Sequence, residues 1–235
     1  MTAILSNLQA IRIAIDQAAQ KAQRNLSQIT LLAVSKTVPA PLIREAYGYG
    51  QTAFGENYLQ EALDKMRLLR DLPLEWHFIG PIQSNKTRLI AENFSWVHSV
   101  DRLKIAQRLS EQRPDHLPPL NICLQINVSG ESTKAGIALE DAESVTHAIA
   151  SLPRLKLRGL MAIPALTVEL SEQRIPFAQM RELLTKLNHT GLKLDTLSMG
   201  MSHDLTAAIL EGATIVRIGT AIFGNRQIKT TTERK

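Results

Sequence analysis

Several residue types are scarce in this chain of 235 residues, and each shortage excludes a class of protein. The single cysteine, Cys123, cannot form an intrachain disulfide, and no cysteine cluster can hold zinc or an iron–sulfur centre. No run approaches the roughly 18 consecutive apolar residues of a membrane-spanning helix, and the N-terminus lacks the apolar stretch of a signal peptide. We therefore expect a soluble protein of the reducing cytoplasm.

The positive charge is too weak and too unevenly placed to indicate a nucleic-acid binder. The net charge is +5, but a short C-terminal segment, 225–235, holds four of the basic residues and only one acidic residue. The rest of the chain is close to neutral and predicts no basic face. With 44% hydrophobic and 21% charged residues, the chain has the composition of a globular protein with a large core. We expect neither nucleic acid nor a membrane as a partner.

Apolar residues recur in the pattern of alternating strands and helices. Spacings of three and four residues from Ile4 to Ala22 predict an opening helix. Eight short apolar runs predict strands at 29–35, 52–54, 75–79, 96–98, 120–127, 155–161, 194–198 and 214–218. Seven further helices are predicted at 41–49, 58–69, 84–93, 102–112, 139–151, 171–188 and 205–211. Eight strand–helix units predict an α/β fold, a (β/α)8 TIM barrel with an extra N-terminal helix.

The turn after the first strand separates this prediction from an open doubly wound sheet. It reads Ser35-Lys36-Thr37-Val38-Pro39, without the Gly-x-Gly-x-x-Gly pattern of a dinucleotide-binding turn. No low-complexity linker divides the chain. We therefore predict one barrel domain over residues 1–225 and a basic tail over residues 226–235.

Barrels carry their sites at the carboxyl ends of the strands, and Lys36 stands at such an end. Desolvation there would favour a neutral amine, the form that attacks an aldehyde to give a Schiff base. A lysine that extends its ammonium into water, or pairs with Glu56, would explain the same position. The six histidines show no paired spacing for a metal, so no metal site is predicted; His77 and His98 are candidates for lining the barrel mouth.

Glycine and hydroxyl residues follow the last two strands, where barrels frequently bind phosphate. Gly219 and Thr220 form one such pair, and Gly200 and Ser202 form the other. Ordinary turn glycines, with Ser202 as the N-cap of the helix at 205–211, are the alternative. Strand alternation directs the side chain of Arg217 toward the same mouth. Glu56 or Asp204 would be structural partners for its guanidinium.

A lysine amine, a phosphate cradle and an inward arginine together fit a phosphorylated aldehyde, and nine segments extend this pattern. The sequence resembles the pyridoxal phosphate homeostasis proteins in Leu32-Ala33-Val34-Ser35-Lys36, Phe54-Gly55-Glu56-Asn57-Tyr58, Trp76-His77-Phe78-Ile79-Gly80, Gln83-Ser84-Asn85-Lys86, Gln125-Ile126-Asn127-Val128, Lys134-Ala135-Gly136, Gly159-Leu160-Met161, Ser198-Met199-Gly200-Met201-Ser202 and Val216-Arg217-Ile218-Gly219-Thr220. These segments span nearly the whole chain in order.

The resemblance implies a single barrel like the N-terminal domain of alanine racemase, the fold-type III barrel that binds pyridoxal 5′-phosphate. It implies a Schiff base between this cofactor and Lys36, with Asn57 against the ring and Arg217 facing the pyridine nitrogen. Ser202, Gly219 and Thr220 would bind the phosphate. The residues expected nearby are Met161, Ser198 and Met199. Ala162 departs from the pattern because a hydroxyl residue is expected there, which puts a polar contact from that side chain in doubt.

The charge of Arg217 also bears on the mechanism. A permanently charged guanidinium donates a hydrogen bond to the ring nitrogen but does not protonate it, so the ring withdraws electrons only weakly. The chain ends 15 residues after Thr220, leaving no room for the second domain of a racemase, and its three tyrosines lie early. We therefore expect a cytoplasmic, monomeric protein that holds the cofactor for its homeostasis without robust catalysis. The alternatives are a pyridoxal phosphate-dependent racemase or decarboxylase, and a cofactor-free Schiff-base aldolase.

Overall fold

Eight parallel strands close on themselves in chain order in the computed structural model, which describes residues 2–131 and 135–224. The strands are β1 (Thr30–Val34), β2 (Ala53–Glu56), β3 (Glu75–Phe78), β4 (Trp96–Val100), β5 (Leu120–Gln125), β6 (Leu155–Met161), β7 (Thr196–Ser198) and β8 (Ile215–Ile218). β8 pairs with β1 and completes the ring. The predicted barrel is confirmed, and the predicted tail at 226–235 lies outside the described residues.

Helices surround the strands and include the predicted N-terminal one. They are α1 (Ala3–Lys21), α2 (Ala40–Gly48), α3 (Leu59–Leu68), α4 (Thr87–Asn93), α5 (Leu103–Gln112), α6 (Ala142–Ala150), α7 (Leu170–His189), α8 (Leu205–Leu210) and α9 (Thr220–Phe223). The sequence pattern did not predict α9, because four residues are too few to show a helical period. Within the described ranges, no helix has both the length and the apolar character needed to cross a membrane.

The opening helix braces the end of the barrel that follows β8. Thr2 caps α1 by accepting a hydrogen bond from the Leu5 amide. Asn7 of α1 then donates a hydrogen bond of 2.9 Å to the carbonyl of Ile222 in α9. Buried side chains of α1, including Leu8 and Ile15, belong to the core between the barrel and its helices. The N-terminal helix therefore fixes the short helix that begins at Thr220.

The barrel interior holds fewer apolar side chains than the layer outside it. A small inner cluster contains Leu32, Ala53, Trp96, Cys123, Met161 and Ile215, whereas the large apolar core lies between the strands and the helices. Burial raises the pKa of Cys123 to about 12, which supports its prediction as a core residue and not a nucleophile. Polar side chains fill much of the remaining interior, and they contact the site described below.

Gly159 lies where the backbone of β7 leaves no room for a side chain on β6. A Cβ atom added at this position would lie 1.8 Å from the carbonyl oxygen of Thr196, so the backbone itself would have to move. The Gly159→Ala variant should lose about 3 kcal/mol of unfolding free energy in urea denaturation, as overpacked cores do. Gly48→Ala is the matched control, because nothing lies within 4 Å of its added Cβ atom, and it should be neutral or slightly stabilising. Equal stability of both variants would contradict this packing.

Candidate functional site

A cavity of about 210 Å³ opens at the carboxyl ends of the strands. It is smaller than the roughly 300–1,000 Å³ of pockets for drug-sized ligands, which suits a small ligand with one ring. Six of the nine residues predicted from the sequence line this cavity: Lys36, Asn57, Ser202, Arg217, Gly219 and Thr220. They come from four separate strand ends, and closure of the barrel brings them together.

The other three predicted residues lie outside the cavity lining. Met161 belongs to the inner apolar cluster. Met199 is buried in the core between the barrel and the helices, on the opposite face of its strand end from Ser198. Ser198 is buried, and its hydroxyl accepts a hydrogen bond from Arg217. It therefore holds a residue of the cavity lining without lining the cavity itself.

Lys36 stands in a tight turn two residues after β1, and its side chain is half-buried. The next residue, Thr37, has a φ of 64°, a left-handed conformation that is rare for a β-branched residue. Two hydrogen bonds hold this turn. The amide of Val38 donates to the carbonyl of Ser35 at 2.9 Å, and the amide of Thr37 donates to Glu61 Oε1 at 2.6 Å. The strained residue adjoining the lysine is therefore held in place by a side chain of α3.

A buried ammonium fixes both sides of the Lys36 turn. Lys65 Nζ donates to the carbonyl of Ser35 at 2.6 Å, to Glu56 Oε1 at 2.8 Å, and to the same Glu61 carboxylate that holds Thr37. The hydroxyl of Ser35 donates to Glu56 at 2.6 Å. Glu56, an alternative partner predicted for Lys36, is therefore bonded to Lys65 and Ser35. Burial raises the pKa of Glu56, while the ammonium of Lys65 opposes that shift.

Arg217 is buried and held mainly by oxygen atoms that carry no formal charge. Its Nη1 donates to the carbonyl of Ser198 at 2.5 Å and to the Ser198 hydroxyl at 2.7 Å. Its Nη2 donates to the carbonyl of Ala162 at 2.9 Å. Neither Glu56 nor Asp204, the partners expected from the sequence, makes this contact. The departure at Ala162 is thus compensated by its backbone, and burial lowers the pKa of Arg217 to about 10.

The two histidines expected at the mouth lie inside the barrel instead. His98 Nδ1 is 2.7 Å from the Ser198 hydroxyl, and His98 Nε2 is 2.9 Å from His77 Nδ1. Both rings are buried. Burial lowers the pKa of His77. Burial, the repulsion that a protonated His77 would exert and the charge of Arg217 together lower the pKa of His98 well below its usual value. Both imidazoles are therefore neutral near pH 7, and neither reaches the cavity.

The loops after β7 and β8 present hydroxyl groups to the cavity. Ser202 and Thr220 are exposed, and in the part of the chain that the structure describes their hydroxyls have no hydrogen-bond partner. Ser202 does not cap α8 as the alternative expected, because Asp204 occupies the N-cap position. Gly200 has a φ of +95°, and an added Cβ atom would lie 2.5 Å from Ala208 Cβ, so this glycine is required by both conformation and packing.

Sequence reasoning missed the apolar walls of the cavity and the ammonium beneath it. Val34, Val38, Ile79, Ile163 and Phe223 supply apolar surface around Lys36 and Arg217. The sequence held one signal for Val34: it precedes Lys36 by two residues, and side chains with that spacing on a strand lie on the same face. Lys65 follows Glu61 by four residues, a spacing that predicts an ordinary surface pair on a helix, and nothing in the sequence shows that the Lys65 side chain is buried.

A second depression of about 550 Å³ lies at the opposite end of the barrel. Its charged groups already bond to other residues of the protein. Arg158 forms a bidentate pair with Asp195, and Arg24 donates to the carbonyls of Ile209 and Ala213. Among the described residues, no group of three or more His, Cys, Asp or Glu side chains is placed to hold a metal. The smaller cavity is therefore the candidate binding site.

Comparison with known proteins agrees with this geometry. The family model of the alanine racemase N-terminal domain matches residues 6–227. The chain is 63% identical to the pyridoxal phosphate homeostasis protein of Pseudomonas aeruginosa, over 96% of this chain and 97% of the relative. The chain belongs to the pyridoxal phosphate homeostasis protein family. The resemblance predicted from the nine segments is confirmed.

Solved structures add the fold and, for one relative, a bound molecule. PipY of Synechococcus elongatus, solved with PLP bound, has 39% sequence identity and a TM-score of 0.82, covering 94% of this chain and all of PipY. The alanine racemase of Corynebacterium glutamicum shares the fold with a TM-score of 0.70 at 20% identity, and the match covers 62% of that enzyme. The predicted racemase-like barrel is therefore confirmed.

Removal of the Lys65 ammonium should destabilise the protein through Glu56. Lys65→Met leaves a buried carboxylate without its cation, and urea denaturation should show a loss of about 3 kcal/mol. Adding Glu56→Gln removes that uncompensated charge, so the double variant should regain at least about 1 kcal/mol. A double variant no more stable than Lys65→Met would contradict the assigned pair.

Stability should depend on pH through the buried histidines. Because His98 has a lowered pKa when folded, the unfolded chain binds its proton more readily as the pH falls below 6.5. The free energy of unfolding should therefore decrease on acidification, by up to about 1.4 kcal/mol per pH unit for each such histidine. Urea titrations between pH 5 and 7 should give a shallower slope for His98→Asn than for the parent. Identical slopes would show that His98 takes up its proton in the folded state.

Proposed function

We propose that this protein binds pyridoxal 5′-phosphate in the cavity around Lys36 and serves the homeostasis of that cofactor, without robust catalysis. The observation that carries the proposal is the convergence of one lysine amine, one buried arginine and two exposed hydroxyls on a single small cavity. The names of its relatives and the PLP-bound PipY structure, at 39% identity, support the same ligand.

The residues present fit the three chemical parts of this cofactor. The cofactor supplies an aldehyde that condenses with a primary amine to form a Schiff base, and Lys36 is the amine in the cavity. Asn57 Oδ1 is buried and without a hydrogen-bond partner in the described residues, so a polar ligand group can satisfy it. The free hydroxyls of Ser202 and Thr220, beside Gly219, suit a phosphate.

Arg217 would meet the ring nitrogen as a hydrogen-bond donor. Its Nη1 and Nη2 atoms already donate to three oxygen atoms of Ser198 and Ala162, which hold the guanidinium in one orientation at the cavity floor. A guanidinium with a pKa of about 10 keeps its proton at neutral pH, so Arg217 would not protonate the ring nitrogen of a bound cofactor, and such a ring would withdraw electrons weakly. This residue therefore supports holding of the cofactor more than turnover of amino acids.

The cavity lining also bears on the rival enzyme functions. Among its described residues there is no tyrosine or carboxylate; His203 is the one side chain there, besides Lys36 and Arg217, that carries a titratable group. A racemase or decarboxylase requires a positioned acid–base group near the amine. Amino-acid turnover by the pure protein of roughly 1 per second or more would favour that rival over ours. A colourless protein that cleaves sugar phosphates would favour the aldolase.

Lys36 and Thr220 should contribute separately to cofactor binding. The parent protein mixed with pyridoxal 5′-phosphate should turn yellow, and borohydride reduction followed by peptide mapping should place the pyridoxyl group on Lys36. Lys36→Ala should lose the colour while still binding the phosphate end. Thr220→Val should keep the colour and weaken retention about tenfold, as loss of a hydrogen bond to a charged group does.

Two surface variants serve as matched controls for this experiment. The control for Lys36 is Lys186, whose side chain is 67% exposed and pairs with Glu143. The control for Thr220 is Thr185, an exposed threonine on α7. Lys186→Ala and Thr185→Val should bind like the parent. A pyridoxyl group on any lysine other than Lys36, or complete loss of the cofactor from both site variants, would overturn the assignment.

The proposal extends to domain organisation, assembly and compartment. We infer one barrel domain through residue 225, a monomer in solution, and a cytoplasmic location. The single cysteine, Cys123, allows no intrachain disulfide, which fits a reducing compartment. Light scattering during size-exclusion chromatography measures the mass directly: 26.1 kDa is expected, and a stable dimer would contradict the inferred monomer.

A further inference from the structure

A continuous row of polar side chains crosses the barrel interior from the cavity floor to the opposite end. It consists of Arg217, Ser198, His98, His77 and Glu75, which we call the interior polar chain. Its four side-chain hydrogen bonds measure 2.7, 2.7, 2.9 and 2.7 Å in that order. The first four side chains are buried, whereas the Glu75 side chain is half exposed at the amino end of β3. The interior polar chain therefore links the candidate site to the solvent at the opposite end of the barrel.

The two ends of the interior polar chain impose one direction on every proton in it. A guanidinium only donates hydrogen bonds, and an ionised carboxylate only accepts them. The hydrogen bond from His77 lowers the pKa of Glu75, which keeps this carboxylate ionised. His77 Nε2 must therefore carry a proton and donate a hydrogen bond to Glu75. His77 Nδ1 is then an acceptor, since the buried imidazole is neutral.

The same donor and acceptor roles can be assigned along the interior polar chain from His77 to Arg217. His98 Nε2 must carry a proton and donate the hydrogen bond that His77 Nδ1 accepts, so His98 Nδ1 accepts a hydrogen bond from the Ser198 hydroxyl. The lone pairs of that hydroxyl are thereby left facing the guanidinium of Arg217. If the direction were reversed, the Ser198 proton would be buried without this acceptor, at a cost of about 1–3 kcal/mol.

We propose that Glu75 is a positioning residue for Arg217 and acts on it from the opposite end of the barrel through the interior polar chain. The carboxylate fixes the histidine tautomers, the tautomers fix the Ser198 hydroxyl, and the hydroxyl fixes the guanidinium. This inference rests on the proposed function only in its last step, where Arg217 meets the ring of the cofactor.

The surroundings of the far end favour this role over a purely structural one. The His77 ring is stacked on Trp96, with centroids 5.5 Å apart and planes 4° apart, and Arg158 covers the indole at 4.7 Å from its centroid. The imidazole therefore has little freedom to turn. The positive charge of Arg158 also helps keep Glu75 ionised. A proton switch between the two ring nitrogens is thus the change most open to His77.

Glutamine and lysine at position 75 give opposite predictions. A glutamine oxygen still accepts from His77, so Glu75→Gln should preserve the direction of the chain. A lysine only donates, so Glu75→Lys should force the other tautomer on His77 and His98. The substituted residue is half exposed, so both variants should fold. Glu143→Lys, at a glutamate 43% exposed on α6, is the control for the change of charge.

Nitrogen-15 NMR of the histidine rings, recorded without cofactor, reads the tautomers directly. We expect His77 and His98 to be protonated at Nε2 in the parent, in Glu75→Gln and in Glu143→Lys. In Glu75→Lys, a large fraction of both rings should be protonated at Nδ1. An Nδ1–H tautomer of His98 in the parent, or unchanged tautomers in Glu75→Lys, would overturn the inference.

Titration of the same four proteins with pyridoxal 5′-phosphate tests the last step. Glu75→Lys should bind the cofactor roughly tenfold more weakly, and Glu75→Gln within about twofold of the parent, as the loss and retention of one oriented hydrogen bond require. Equal affinity of all four proteins would overturn the effect on Arg217. If the parent itself does not bind the cofactor, the proposed function fails, and the tautomer measurement still decides the interior polar chain.

Discussion

A guanidinium buried without a direct carboxylate partner constrains the whole of this site. Arg217 cannot lose its proton near neutral pH, so the surrounding residues must supply acceptors for it. They do so with two carbonyl groups and one hydroxyl, which come from the ends of β6 and β7. Those strand ends are set by the closed barrel, and Gly159 lets the two strands approach closely enough. The cavity floor is therefore fixed by the backbone.

The end of the cavity that holds Lys36 is fixed by charged side chains instead of by backbone carbonyls. Lys36 lies beside a strained residue, Thr37, and the strain is held by charged side chains that the cavity does not expose. One ammonium, Lys65, bonds to Ser35 before the lysine and to the carboxylate that holds the residue after it. The position of the amine thus depends on a buried ion-pair network, whose removal costs stability. The end of the cavity that we propose for phosphate, by contrast, consists of exposed hydroxyls and glycine, which suits a ligand that enters and leaves.

Much of this arrangement follows from local patterns, and the rest depends on burial that no local pattern reports. Eight apolar runs with helices between them predict the barrel, and the positions of Lys36, Arg217 and Thr220 at strand ends predict one shared mouth. The partners of Arg217 could not be predicted, because two of its three acceptors are backbone oxygens that any residue carries. The same holds for Lys65: its spacing from Glu61 is that of a surface pair, and only the packed structure shows it buried under β1.

The two histidines also show what a local pattern can and cannot predict. His77 and His98 alternate correctly with their neighbours, so their inward orientation follows from the strand period. Their depth does not, because β4 continues to Val100, beyond its predicted end at His98, and β3 continues past His77 to Phe78. The expectation that they line the mouth was therefore wrong, and they connect the cavity floor with the opposite end instead.

The central proposal is that Arg217 would donate a hydrogen bond to the unprotonated ring nitrogen of bound pyridoxal 5′-phosphate. Nitrogen-15 NMR of the protein loaded with cofactor labelled at that nitrogen measures this protonation state directly. The account predicts the shift of an unprotonated, hydrogen-bonded pyridine across pH 6 to 8, and a change in that shift on Arg217→Glu. A pyridinium shift in the parent protein over the same range would contradict it.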